Sequence, residues 1–208
     1  MPFFEPLPDP VPEPARAPRQ YFSWPGRRPD NWVPGAVSWA LPLATTEDTA
    51  LALVGGAVYP QGLELRVVVR LRPGTEEDHL ERGGLRTHRN PVEGLRLGAL
   101  MPDGSKVLTD DGPVYPWPGA GGPRWHLQSC GGGGGGLSYE QGFWLWPLPE
   151  AGRMEFVCQW DRRAVPESRV GVDAGQLAAA AACAVELWPM PDPPPDESGS
   201  GHHSYGSL

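Results

Sequence analysis

Between Leu63 and Arg72 the order of side chains fixes the kind of backbone that can carry them. Leu63, Leu65, Val67, Val69 and Leu71 alternate with Glu64, Arg66, Arg70 and Arg72, and Val68 is the one apolar intruder. A period of two sends successive side chains to opposite faces of an extended chain, so this segment is a strand with one dry face and one wet face. Met154, Phe156, Cys158 and Trp160 repeat the pattern against Arg153, Glu155, Val157 and Gln159. Weaker versions run through Val37 to Leu43, Leu51 to Tyr59 and Leu95 to Met101.

Turn-forming residues separate these runs: Pro60-Gln61-Gly62, Pro102-Asp103-Gly104, Asp110-Asp111-Gly112 and Glu150-Ala151-Gly152. Such clusters suit tight connections, and antiparallel hairpins are expected. The stretch 73–91 has neither periodicity and reads as a long loop, with at most a helical turn around Glu76 to Glu81. One helix is expected, opening at Asp173 as N-cap with Gln176 three residues on, running through Leu177 to Leu187 and stopping before Pro189. Its inner stripe would hold Leu177, Ala181, Ala184 and Trp188. Short strands with one late helix imply a mainly β protein, an antiparallel β-sandwich of about eight or nine strands with one C-terminal α-helix.

The 208 residues suit one such domain with tails. Residues 1–34 form a Pro-rich extension with seven prolines in the first 18 positions, expected to be disordered there. From Tyr21, the aromatics Phe22, Trp24 and Trp32 suggest a strap across the domain. The sandwich and its helix then occupy 35–188, and 189–208 is a Pro-, Gly- and Ser-rich tail.

Composition narrows function mainly by exclusion. A net charge of −8 opposes binding to phosphate backbones, so nucleic acid is not an expected partner. No apolar run is long enough to span a bilayer and the N-terminus lacks the pattern of a signal peptide, which points to a cytoplasmic protein without a membrane partner. Three cysteines, Cys130, Cys158 and Cys183, fit neither a disulfide framework nor a paired zinc or redox motif. His79 and His88 lie nine apart in the 73–91 loop, while His202 and His203 lie in the tail, so neither a metal site nor a cofactor is expected.

Cys130 precedes six glycines and follows His126 by four residues. A thiolate beside a base, with glycine N–H groups to receive an oxyanion, would make a nucleophilic site. On a strand those two side chains stand roughly 13 Å apart, which opposes direct contact. The glycine run then reads as a flexible hairpin loop, and without a following Lys it is not a phosphate loop. Glu140, Glu155, Asp161 and Glu167 are raw material for a carboxylate pair, although nothing in their spacing selects one, and Glu155 beside Arg153 suits a surface charge pair. A hydrolytic enzyme using Cys130 and His126, or such a pair, is therefore the alternative reading.

The aromatics carry the leading one. In Gly142-Phe143-Trp144-Leu145-Trp146-Pro147, alternation puts Phe143 and Leu145 on one face and Trp144 and Trp146 on the other. With Phe143 and Leu145 in the core, two indoles face outward. With Trp117 or Trp125 nearby they would form a platform for a protein or a small ligand. The competing placement is burial, in the core or beneath the aromatic strap or the C-terminal helix with Trp188. A contact protein should display an open apolar patch or a flat sheet edge, and an enzyme a pocket where titratable groups converge.

The strings FWLWPLP, MEFVCQW, PESRVGVD and AVELWP resemble those of a group of uncharacterised actinobacterial proteins. The resemblance spans most of 35–188. It implies a bacterial cytosolic setting, in keeping with 16 Arg against the single Lys106, and supplies no site residues.

Overall fold

A computed structural model describes residues 21–23, 26–74, 94–109 and 124–192. The expected 73–91 loop falls outside them from 75 onward, as do Trp24, Trp117, the Asp110-Asp111-Gly112 turn, His79, His88, His202, His203 and the residues flanking 21–192.

The described chain is mainly β, with antiparallel sheets and one helix. A six-stranded sheet contains β2 (Gly35–Val37), β3 (Leu41–Thr45), β4 (Thr49–Tyr59), β5 (Gly62–Leu71), β8 (His126–Gly135) and β9 (Ser138–Trp146). Its order is β2-β4-β5-β9-β8, with β3 pairing the other half of β4. A four-stranded sheet runs β11-β10-β6-β7, made of β6 (Arg96–Leu100), β7 (Lys106–Leu108), β10 (Arg153–Trp160) and β11 (Val165–Asp173). A ribbon joins β1 (Trp32–Val33) to β12 (Val185–Glu186).

The alternation governs the core. Leu63, Leu65, Val67 and Val69 on β5 meet Met154, Phe156, Cys158 and Trp160 on β10 in one buried cluster that both sheets share. Burying each large side chain contributes roughly 1.5–3 kcal/mol. Trp39 reaches across to Phe156, ring centroids 6.2 Å apart, and ties the segment between β2 and β3 to the opposite sheet. Val68 is buried on the outer face, flanked by Ala52 and Glu140 on the neighbouring strands. Arg66 and Arg70, two residues to either side of Val68, both reach Glu140.

Several expectations need correction. Val37 to Leu43 is two strands, because β4 bulges between Leu53 and Gly56 and offers β2 and β3 separate ladders. At the bulge Gly55 has φ +126° and sits 2.6 Å, measured from an added Cβ, from the Val37 carbonyl oxygen, so only glycine fits. This split and the terminal ribbon raise the strand number above the expected eight or nine. The turn at Glu150-Ala151-Gly152 joins no hairpin: it carries the chain from β9 in one sheet to β10 in the other.

The glycine run is no loose loop either. Gly132 to Gly135 pair with Gln141 to Ser138, so the glycines are ladder residues on the outermost strand of the six-stranded sheet. Backbone N–H and C=O groups suffice for pairing once β9 supplies the partner. A bulge after Ser129 leaves Gly131 at φ +89°. Gln141, buried and facing the core side, holds this bulge by donating to Ser129 Oγ at 2.8 Å and to the Gly131 carbonyl.

The helix, α1 (Ala174–Ala181), is shorter than expected. Asp173 caps it as anticipated, accepting from the Gly175 N–H at 2.9 Å. Ala174, Leu177 and Ala180 are its buried stripe, while Trp188 lies beyond the helix and is 56% exposed. The helical propensity of the alanine run gives way because Val185 and Glu186 find strand partners in Val33 and Trp32.

Candidate functional site

The outer face of the six-stranded sheet is where the tryptophan platform was expected. Glu64, Trp144 and Gln128 form one cross-strand row, and Gly62, Trp146 and His126 belong to the next. Alternation does turn Trp144 and Trp146 away from Phe143 and Leu145, both of which are in the core. The two indoles nevertheless have different fates. Trp144 is only 4% exposed, because the chain entering β1 passes over it and its Nε1–H donates to the Gly26 carbonyl at 2.8 Å. Tyr59 packs against it edge-on at 5.7 Å. Trp146 is half-buried and lies against the His126 ring, centroids 5.5 Å apart.

Trp125 belongs to neither. It shares the inner face with Leu127 and is buried in the core, where its Nε1–H donates to Asp103 at 2.8 Å. Asp103 also accepts from Ser105 and from Arg124, and these donors pull its carboxyl down to about 2. The result clamps the β6–β7 turn to the start of β8.

Gly62 makes room for Trp144: a Cβ there would lie 2.4 Å from the indole. Beside it, Arg28 reaches Glu64 at 2.6 Å, and that hydrogen bond raises the guanidinium pKa. Alternation set Glu64 on the wet face and turn residues marked Gly62, but no local signal tied these two, Tyr59 or Arg28 to Trp144.

Cys130 stands over Gly142 on the same face. Burial, with a smaller contribution from Glu64, pushes its thiol up to about 12, so it is protonated at neutral pH and carries little of the thiolate that nucleophilic attack requires. Cys158 faces the core, with its thiol pushed up to about 11 by burial. Glu140 is held between Arg66 and Arg70 on the outer face of the six-stranded sheet, and Glu155 pairs with Arg169 on the outer face of the four-stranded one. They cannot flank one cleft. Asp161 accepts from Gln159 at 2.8 Å, and Glu167 pairs with Arg169. Among the described residues, no three His, Cys, Asp or Glu side chains gather to hold a metal.

A second surface emerges where β1 and β12 pair. Val33 and Val185 are cross-strand partners on the ribbon, and they are 49% and 56% exposed. Leu187, two residues on, and Trp188 are also half exposed. Beneath this strip Asn31 is buried, donating to Glu186 at 3.2 Å and to the Trp188 carbonyl at 2.7 Å, while its own carbonyl accepts from the Leu187 N–H. Reading 177–187 as helix hid this strip, because helical spacing turned Trp188 inward.

No helix of the described residues is long and apolar enough to cross a membrane. No family model, curated protein or solved structure matches the chain.

Proposed function

We propose that the protein is a contact module of the bacterial cytosol, which seats a partner protein on the ribbon formed by β1 and β12. The observation that carries this reading is the run of half-exposed apolar side chains Val33, Val185, Leu187 and Trp188 on a ribbon tied down by Asn31. Leaving such a strip in water costs free energy that a partner recovers, and an exposed Trp is a common anchor in protein interfaces. The Trp144 and Trp146 face supports it less directly, since Trp144 is covered. The charge of −8 favours a protein partner over nucleic acid.

The test is a photo-crosslinking residue at position 188 of the full-length protein, expressed in its native cell. One polypeptide should crosslink from 188, and Leu187→Asp should abolish the product while the melting temperature is retained. The same products from a control position at Arg162, on the far turn between β10 and β11, would reject the ribbon as the seat.

A further inference from the structure

The segment over Trp144 resembles a ligand in its site more than a piece of core. Directional contacts tie it to the sheet: the Gly26 carbonyl accepts from Trp144 Nε1 at 2.8 Å, and Arg28 Nη1 meets Glu64 Oε2 at 2.6 Å. The receiving surface is shaped for them. Gly62 has no side chain beneath the indole, Tyr59 walls it edge-on, and the Glu64 side chain is only 22% exposed. A carboxylate fixed on a strand beside an indole N–H presents an acceptor for a guanidinium and a donor for a main-chain carbonyl. Arg28 itself keeps 46% of its side chain in solvent, so the pair is open to exchange.

The segment is fastened independently on both sides of these contacts. Before it, the Ser23 N–H donates to the Pro191 carbonyl at 2.9 Å, and after it Asn31 locks onto Glu186 and Trp188. Residues 26–30 can therefore lift without undoing the ribbon.

We propose that Trp144, Tyr59 and Glu64 form a docking site for a short peptide turn carrying arginine, and that residues 26–28, which turn at Gly26 (φ +77°), occupy it in cis until such a segment displaces them. The site is built from residues of β4, β5 and β9, none of which belongs to the ribbon strip, so it goes beyond the contact reading and is tested separately. The cis segment defines the chemistry of its competitor: a backbone carbonyl for Trp144, followed two residues later by a guanidinium for Glu64. Tethering gives it a high effective concentration, so a competitor succeeds only when the cis hold is weakened or the competitor is abundant.

The experiment uses the full-length chain and a fluorescein-labelled peptide PGRRPDN, copied from residues 25–31, with binding read by anisotropy. Arg28→Ala in the protein should raise affinity for the free peptide at least about tenfold over the unaltered chain, because the cis competitor loses its charge-assisted contact. Glu64→Gln added to Arg28→Ala should remove that gain, and so should replacing both peptide arginines by alanine. Equal binding by the unaltered and Arg28→Ala chains, or binding indifferent to Glu64, would overturn the proposal. Should Glu64→Gln not fold, the unaltered chain decides: millimolar peptide must shift the Trp144 indole N–H resonance and speed amide exchange at Arg27 and Arg28. Failure to do either refutes displacement of the cis segment and with it the docking site.

Discussion

Cys130 shows how a residue's surroundings outweigh its sequence neighbours. Next to six glycines and four residues from a histidine it resembles a nucleophile; in the sheet its thiol is kept neutral by burial. Iodoacetamide at pH 8 should modify exposed Cys183 rapidly while Cys130 and Cys158 lag at least about tenfold, as followed by mass spectrometry of the native protein. For a thiol whose folded pKa lies above its unfolded value, the folded state holds the proton more tightly. Stability is then unaffected below about pH 9 and falls as pH rises toward 12. Asp103 behaves in the opposite sense. Its carboxyl, lowered to about 2 by Ser105 and Trp125, contributes stability present above pH 4 and lost as pH falls toward 2. Asp103→Asn should therefore melt earlier than the unaltered protein at pH 6, with the difference vanishing near pH 2. At this scale the facing of Leu63 to Leu71 was legible because each side chain's environment follows from its neighbours two along. The covering of Trp144 was not, because Gly26 lies 118 residues away.

The glycine strand carries its lesson at the level of the element. The residues from 131 to 135 have no side chains with which to specify a register, and pairing to β9 with the Gln141-braced bulge does so instead. Gly131 and Gly133 should respond differently to alanine. Gly131 sits at φ +89°, where a Cβ costs roughly 1–2 kcal/mol, whereas Gly133 has open space around an added Cβ and no positive φ. Gly131→Ala should lower the unfolding free energy measured by urea titration by that amount. Gly133→Ala should leave it within about 0.5 kcal/mol or raise it slightly through the unfolded state. The start of α1 was readable from Asp173 because a cap is a local device. Its end was not, since local propensity favours continuing through the alanines and the competing partner, Trp32–Val33, lies at the other end of the chain.

Across the whole molecule, the connections that periodicity cannot report are those that decide the architecture. That strands alternate was evident; that β9 lies beside β5 and β8 beyond it, or that β9 and β10 belong to different sheets, depends on pairings between distant segments. Asn31 sits beside the strand pairing that spans most of the sequence, β1 with β12. Asn31→Ala leaves the Trp188 carbonyl without its side-chain donor and should cost about 1–3 kcal/mol in chemical denaturation. Hydrogen exchange should accelerate first at Val33, Val185 and Leu187, ahead of β5 and β10. Uniform acceleration across both sheets would mean that the ribbon unfolds only with the sandwich. The bond from Ser23 to Pro191 gives this closure a practical corollary. Ser23 and Pro191 lie side by side, so the first and last of the described segments are within one hydrogen bond of each other. A short bridge between them, with new ends opened at Gly136-Leu137, should yield a circularly permuted version whose strands keep their neighbours.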